Sequence, residues 1–402
     1  MFEIKPIFNA LLRSKVGAVL LLIQIAITTA IVSNAAFIIK DRLDYLNQPT
    51  GYQEESIFKF NVMTFGTDVD LAQQAELDEA SIRALPGVID AVTINAIPLS
   101  GGGSSTSYRI KPVPEKAKSV SASYFTADEH ALNTFGVELV EGRNFTESEV
   151  AHDLDNTQSA NVVLATKALM DELFPNGDGL GQIIYSGTKP YKVIGIVGLM
   201  KGPWMKNEER KDKSVIIPYV RIEKFNKFLV RTEPGRRAEV MQQIESLIHK
   251  NYSKRVVQDL AGLDKKKADY VAEDRLMMRM LVILISVLVL VTALGIFGLT
   301  LFNINKRTKQ IGTRRALGAR KSAIISYFVV ENSLICIAGL VLGVCGAVLL
   351  GQQLMANYSV PALSNWYVAI TAVAVFVMSL LAVIGPARRA ANIDPSIATR
   401  TI

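Results

Sequence analysis

The sequence predicts a mixed membrane protein, with four transmembrane α-helices and a large extracytoplasmic α+β domain carried on a helical stalk. First, half of its 402 residues are hydrophobic and 20% are charged. This balance is too apolar for an ordinary soluble protein and too charged for a bundle buried wholly in lipid. Second, four apolar runs are each long enough to cross about 30 Å of hydrocarbon. Third, no such run occurs in residues 40–272.

The loop at 303–322, between the second and third apolar runs, fixes the predicted orientation. It contains seven basic residues and no acidic residue: Lys306, Arg307, Lys309, Arg314, Arg315, Arg320 and Lys321. Basic residues concentrate in short cytoplasmic loops because they resist translocation. The loop is therefore expected to face the cytoplasm, and the net charge of +7 reports membrane orientation, with no nucleic-acid partner implied.

The first predicted elements are an amphipathic helix at 1–15, lying on the cytoplasmic side, and a first span at 16–39. Residues 1–15 have apolar side chains at helical spacing with basic residues between them, as in interfacial helices. The competing interpretation of the apolar run is a signal peptide, cleaved near Ser33-Asn34-Ala35. The length of the run favours a retained helix, because it exceeds an ordinary signal-peptide core.

Residues 40–272 are predicted to form the extracytoplasmic domain with its stalk. Alternating or buried apolar patterns predict strands at 57–63, 88–97, 105–110, 161–165, 191–197, 215–219 and 228–232. Amphipathic patterns that stop at Pro-Gly or Pro-Asn-Gly signals predict helices at 71–85 and 166–174, and a third is expected at 238–250. Strands followed by helices and further strands suggest a sheet covered on one face.

The second half of the chain is predicted to hold the other three spans. One long helix is expected at about 265–305, in which 273–302 form the stalk end and the second span. The third span is expected at 323–354, an outer loop at 355–365, the fourth span at 366–385, and a cytoplasmic tail at 386–402.

Two features of the third span are candidates for a role beyond crossing the membrane. Small residues recur at every fourth position, at Gly339, Gly343, Ala347 and Gly351, and let another helix approach closely. That contact could lie within the subunit or at a seam between two copies. Glu331 is a carboxylate within the apolar run, for which a functional role is the default hypothesis. Its closeness to the basic loop favours a structural role, in which Glu331 reaches either interfacial water or a basic neighbour.

The chain has few groups able to support catalysis. No GxxxxGK[ST] phosphate loop occurs, so ATP binding by that chemistry is not expected of these residues. We also predict no metal site, bound cofactor or catalytic residue, since the three histidines fall in no ligand pattern. Cys336 and Cys345 share one predicted helix about 13 Å apart, too far to bridge.

Several motifs together resemble the MacB/FtsX superfamily of ABC-transporter permeases. The loop reads RTKQIG at 307–312 and RALGA at 315–319, similar to the family's coupling-helix signature, with Gln310 where a glutamate is usual. The extracytoplasmic segment contains LPGV at 85–88, GVELVEGRNF at 136–145 and YKVIGIVG at 191–198, and the tail contains GPARRAANIDP at 385–395. The order and spacing of these motifs resemble the family's periplasmic core domain and C-terminal signature.

This resemblance implies a function and its partners. It implies a subunit of the bacterial inner membrane that docks a separate ABC ATPase, which binds ATP and Mg²⁺, and that pairs with a second permease. An adaptor and an outer-membrane channel are further implied partners, and export of periplasmic substrates is the implied activity. The alternative is signalling to a cell-wall hydrolase, or extraction of lipoproteins, without solute transport. The implied docking residues are Gln310, Ile311, Gly312, Arg314, Arg315, Ala316, Leu317, Gly318 and Ala319.

Overall fold

The computed structural model describes residues 15–153, 160–358 and 362–394. The predicted amphipathic segment at 1–14 and residues 395–402 of the predicted tail lie outside the described residues. The chain divides into two compact units, of which one is Gln48–Ala272 and the other is formed by the remaining, helical segments.

The helices and strands of the described residues are, in chain order, α1 (Lys15–Asn47), β1 (Ile57–Thr64), α2 (Leu71–Arg83), β2 (Val88–Ile94), β3 (Ser104–Arg109), β4 (Ser119–Ala127), α3 (Ala131–Phe135), β5 (Leu139–Gly142), β6 (Ala151–Asp153), β7 (Val162–Thr166), α4 (Lys167–Leu173), β8 (Ile183–Ser186), β9 (Lys189–Val197), β10 (Ser214–Arg221), β11 (Phe225–Thr232), α5 (Arg237–Asn251), β12 (Arg255–Gly262), α6 (Leu263–Tyr270), α7 (Ala272–Lys306), α8 (Thr308–Ala316), α9 (Lys321–Tyr358) and α10 (Asn365–Ala391).

Four helices of the helical unit, α1, α7, α9 and α10, are long and apolar enough to cross a membrane. They contain the four predicted spans. The last helix differs from its prediction, because it continues through Pro386 to Ala391 and does not end at 385. The residues after the proline include Ala387 and Ala390, both fully buried. Their packing against the apolar interior of the unit compensates for the helix hydrogen bond that proline cannot donate.

The predicted single helix at 265–305 is wrong in one respect, since the structure has two helices there. The first, α6, ends at Tyr270, and α7 begins at Ala272. Val271, between them, is fully buried and has φ −99° and ψ 10°, outside the α-helical range. Sequence periodicity cannot show this break, because Val271 is compatible with either conformation.

The first sheet of Gln48–Ala272 has four antiparallel strands in the order β12-β1-β11-β2. Helices α2 and α5 cover one face, and their Ile82, Val240 and Ile244 join a buried cluster with Phe60 and Phe228. The rings of these two phenylalanines are stacked with centroids 5.0 Å apart. The predicted sheet with one covered face is therefore confirmed.

The second sheet closes into a small barrel. Its strands follow the order β4-β3-β8-β9-β7-β10, and the parallel pairing of β10 with β4 joins the two ends. Inward-facing apolar side chains such as Val163, Val193 and Val215 fill the interior, and Met170 of helix α4 packs in the same cluster. The seven predicted strands and three predicted helices are all found within a few residues of their expected bounds, whereas β4, β5, β6, β8 and β12 were not predicted.

A buried charge cluster joins α2, β2 and the chain after β4. The guanidinium of Arg83 donates to Glu79 at 3.0 Å and to Asp128 at 2.8 Å, and its Nε lies 3.3 Å from Asp90. All three carboxylate residues are buried. Burial, reinforced by the charge of Asp128, raises the pKa of Glu79 to about 7, and burial raises the pKa of Asp128 to about 6.

Candidate functional site

The basic loop contains a short helix, α8, between two membrane-length helices. It ends at Ala316, and Gly318 follows in the left-handed region with φ +90°. The Gly318 amide donates to the Arg315 carbonyl at 3.1 Å, and the Ala319 amide donates to the Arg314 carbonyl at 3.0 Å. These bonds satisfy carbonyl groups at the helix end. At the φ angle of Gly318, a residue with a Cβ would be strained. Gly318 therefore lies in the turn that ends α8.

The inner face of α8 attaches the helix to the helical unit. Ile311 is 6% exposed and packs in one buried cluster with Ile304, Ile324 and Phe328. Gly312 beside it is also buried. Both residues were predicted to contact a partner, but their burial gives them a different part: they hold α8 against the neighbouring helices.

The outer face of α8 and the turn after it are exposed. Leu317 is 83% exposed, which is unusual for a leucine. The other exposed residues of this surface are Lys309, Gln310, Thr313, Arg314, Ala316, Gly318 and Arg320. We call these eight residues the basic face. Five of the nine predicted docking residues lie on it: Gln310, Arg314, Ala316, Leu317 and Gly318. Of the other four, Ile311 and Gly312 are buried, and Arg315 and Ala319 are half-buried.

Arg315 stabilises the turn from inside. Its side chain is half-buried, and its guanidinium donates to the carbonyl of Ala319 at 3.0 Å. Ala319 is itself half-buried. The hydrogen bond fixes the path of the chain around Gly318, so a substitution of Arg315 would alter the shape of the surface as well as its charge.

A buried ion pair joins the start of the loop to α9. Arg307 donates to both carboxylate oxygens of Glu331, at 3.1 Å each, and to the hydroxyl of Tyr327 at 2.9 Å. The Glu331 side chain is 5% exposed and that of Arg307 is 17% exposed. The guanidinium of Arg314 lies 5.5 Å from the centroid of the Tyr327 ring. Of the two structural roles that the sequence left open for Glu331, the structure thus shows pairing with a basic neighbour.

A cavity of about 110 Å³ lies beside the basic face, between α8 and α9. Ile324 and Phe328 supply apolar lining, and Arg307, Gln310 and Arg314 supply polar lining. A concave, partly apolar site with charged groups around it is suited to receive a side chain of another protein.

The small-residue stripe of α9 packs against α1 of the same chain. A Cβ on Gly343 would lie 2.7 Å from the Thr29 Cβ, and one on Gly339 would lie 3.0 Å from the Ile25 Cβ. Near the other end, the Asn34 amide donates to the Ala347 carbonyl at 3.0 Å, and Gly351 lies beside Asn34. Of the two alternatives left open by the sequence, the structure therefore shows the contact within the subunit.

Helices α1 and α7 contact each other through polar and small residues that the sequence analysis did not select. The hydroxyls of Thr28 and Thr292 are 2.8 Å apart and buried. One turn away, a Cβ on Gly295 would lie 2.6 Å from the Gln24 Oε1. Polar residues within an otherwise apolar run are the signal that could have identified this contact.

In residues 15–153, 160–358 and 362–394, no three His, Cys, Asp or Glu side chains form a group that could hold a metal ion. Cys336 is buried and Cys345 is exposed.

Two family models match the chain. The MacB-like periplasmic core domain matches residues 16–247, and the FtsX-like permease C-terminal domain matches residues 282–395. The first covers more than half of the chain, and the second includes the basic face and the helices on either side of it.

Curated relatives of this chain are named macrolide export ATP-binding/permease protein MacB. The chain is 27% identical over 345 residues to the macrolide export ATP-binding/permease protein MacB of Nitrosomonas europaea, covering 83% of this chain and 48% of that protein. It is 29% identical over 332 residues to MacB 2 of Yersinia pestis bv. Antiqua, covering 79% of this chain and 45% of that protein. The chain thus spans about half the length of the curated relatives it matches.

Two solved structures were also found. The extracellular domain of the ABC-type transporter YknZ from Gram-positive bacteria matches 50% of this chain and 100% of that one, with 16% identity and a TM-score of 0.31. The periplasmic region of MacB from Actinobacillus actinomycetemcomitans matches 52% and 91%, with 16% identity and a TM-score of 0.32. The match of the periplasmic core model over more than half of the chain, together with the permease model, shows that the chain belongs to the MacB/FtsX-like family of ABC transporter permeases.

Proposed function

We propose that this chain is the permease subunit of an ABC exporter of the bacterial inner membrane, with Gln48–Ala272 in the periplasm. The basic face docks a separate ATPase, which binds ATP and Mg²⁺. Hydrolysis by that ATPase moves the periplasmic domain through the long helices. The relatives are macrolide export ATP-binding/permease proteins by name, and this supports export as the activity.

The attachment of α8 is the observation that carries this proposal. The helix is held on its inner face by Ile311 and at its start by the ion pair of Arg307 with Glu331. Its outer face presents Leu317 and several cations. A force applied to that outer face therefore reaches α7 and α9 directly, because packed interiors transmit displacement and do not absorb it.

A second permease is the other partner we propose, and the exposed apolar face of α7 supports it. Along the span, this helix exposes large apolar side chains at Ile283, Val287, Leu290 and Leu294, each at least half exposed. Lipid covers such a face in a single subunit, and a second helix covers it in a dimer. A periplasmic adaptor and an outer-membrane channel complete the export path in this proposal.

Co-purification of the ATPase from native membranes in mild detergent tests the docking step. We expect Leu317→Glu to reduce recovery of the ATPase about tenfold or more, because truncating a central interface residue commonly costs at least 2 kcal/mol. Arg314→Glu on the same face should act in the same direction. Leu317 and Arg314 are suitable because they are exposed, whereas Arg315→Glu would also disturb the turn at Ala319.

Lys250→Glu is the matched control. Lys250 is an exposed cation in the last turn of α5, in the other compact unit, and its reversal changes the net charge by the same amount as Arg314→Glu. We expect this variant to recover the ATPase as the wild type does. Equal recovery by Leu317→Glu, Arg314→Glu and the wild type would refute docking at the basic face, provided that all variants insert normally.

A further inference from the structure

The β-barrel of the strand-rich unit has an open, polar mouth. Its interior is filled by apolar side chains at one end, against α4, where Met170 and Leu173 pack. At the other end the inward-facing positions of the same strands line a cavity of about 390 Å³. Cavities of this size hold small molecules, and the mouths of barrels are common sites for them. A barrel of six strands is too narrow to hold a ligand inside, so any ligand lies at the mouth.

The strand alternation explains why the lining changes from apolar to polar. Along β10, Val215, Ile217 and Tyr219 face inward, and Arg221 continues this row to the mouth. On β3, Tyr108 is followed toward the mouth by Thr106. On β9, Tyr191 is followed toward the mouth by Lys189. Three strands thus place cations or hydroxyls at one rim.

Aromatic rings and hydroxyls dominate this lining. Tyr108, Tyr124, Tyr191 and Tyr219 all contribute to it. The hydroxyls of Thr106 and Ser186 are 2.8 Å apart across the β3–β8 pair. Side-chain hydroxyls both donate and accept hydrogen bonds, and tyrosine adds an apolar ring face to a polar tip. This combination suits a ligand with many hydroxyl groups and limited apolar surface.

One buried hydroxyl of the lining lacks a partner among the described residues. Tyr108 is fully buried at the floor of the cavity, and its Oη makes no hydrogen bond to any group in the described segments. Its ring is held edge-on to that of Tyr191, with centroids 6.5 Å apart. An unsatisfied buried hydroxyl costs free energy, and a ligand that accepts from it recovers that cost.

The charge of the lining selects an anion. Lys189 and Arg221 line the larger cavity, and none of its described lining residues is acidic. Arg221 forms an ion pair with Glu223, which lines the adjoining cavity. The positive charge of Arg221 is therefore partly neutralised, and Lys189 is the less neutralised cation of the two. Behind the rim, Arg210 donates to the Ser105 hydroxyl at 2.8 Å. The positive potential of these groups favours a negatively charged ligand.

A second cavity of about 240 Å³ continues from the first. The two share Asn95, Ser104, Thr126 and Arg221 as lining residues. Lys227, which lines the second cavity, donates to the Asn95 carbonyl at 2.7 Å. The continuous cleft leads from the barrel to the end of the four-stranded sheet and accommodates a ligand longer than one ring.

We propose that the mouth of this barrel binds an acidic sugar, in which the anionic group meets Lys189 and the hydroxyls meet the Tyr and Ser/Thr rim. The site is separate from the basic face, and its existence does not depend on ATPase docking.

Ligand-observed NMR on the full-length chain in lipid nanodiscs tests this site, with D-glucuronate as the probe. We expect magnetisation transfer from the protein to D-glucuronate, with a signal that levels off as the D-glucuronate concentration rises. Two comparison ligands separate the contributions of the carboxylate and the hydroxyl groups: D-glucose lacks the charge, and glutarate lacks the hydroxyls. Both should bind about tenfold more weakly than D-glucuronate or not at all.

Two variants and one control locate the binding. Lys189→Gln should weaken D-glucuronate binding about tenfold, the effect of losing one charge-assisted hydrogen bond. Tyr108→Phe should weaken it about fivefold without unfolding the protein, because the lost hydroxyl bonds nothing in the described protein. Lys192→Gln removes an exposed cation from the same strand, outside the lining, and should leave binding unchanged.

Three results would overturn the proposal: no D-glucuronate binding at millimolar concentration, equal binding of D-glucuronate and glutarate, or equal effects of Lys189→Gln and Lys192→Gln.

Discussion

The ion pair between Arg307 and Glu331 should be energetically strong and cooperative. In Glu331→Ala, the Arg307 guanidinium loses two charge-assisted hydrogen bonds of 3.1 Å and keeps the one to Tyr327 at 2.9 Å. Breaking a buried pair commonly costs about 3–5 kcal/mol. Because the Arg307 side chain retains 17% exposure and one partner, we expect a loss near the lower end, about 3 kcal/mol.

A double-mutant cycle with Arg307→Ala measures this interaction directly. The full chain in mixed micelles is titrated with a denaturing detergent, and the loss of helix is monitored by circular dichroism. The free energy of unfolding is obtained from this curve. We expect a coupling energy of about 2–3 kcal/mol, with the double variant more stable than the sum of the two single losses implies. Asp44→Ala, which breaks the exposed pair with Lys40 on α1, should leave the midpoint unchanged. Additive losses in the cycle would refute the argument.

Two further predictions concern packing and pH. Gly343→Val should destabilise the helical unit by about 1–3 kcal/mol, since even its Cβ would lie 2.7 Å from the Thr29 Cβ, whereas Gly298→Ala, with open space around it, should have little effect on the same denaturation curve. The pKa of Glu79 is raised from 4.5 to about 7 by burial, so its contribution to stability is greatest below pH 4.5 and is lost as the pH rises through 7. Glu79→Gln should therefore flatten the pH dependence of thermal unfolding in that range. Glu76→Gln, an exposed change on the same helix, should retain the wild-type dependence, and a wild-type profile for Glu79→Gln would contradict the assignment.

Most of the secondary structure could be predicted because local patterns dominate it. The alternation of Phe58, Phe60 and Val62 with polar residues predicted β1, and these three side chains do face the covered side of the sheet. By contrast, β4 reads SVSASYFTA and is rich in small polar residues with weak strand preference. It is a strand because β3 and β10 pair with it on both sides. Such pairing joins distant segments and leaves no local pattern.

The candidate site, too, was predictable from the sequence only in part. The coupling-helix signature that the loop resembles implied a short helix, and α8 is present there, followed by Gly318 in the left-handed region. The sequence could not separate Ile311, which is buried, from Leu317, which is exposed, because both are apolar residues of one amphipathic segment. That distinction depends on which face meets Ile324 and Phe328 of another helix.

The sequence by itself determined the number of spans, the position of the basic loop and the family. These follow from the hydrophobic thickness of a membrane, the cost of moving cations across it, and motifs at fixed spacing. Only the tertiary structure decided that Glu331 pairs with Arg307, that the stripe of Gly343 packs against α1, and that six strands close into a barrel with a polar mouth. Each of these depends on distances between residues far apart in the chain, which the three-dimensional packing of the whole unit sets.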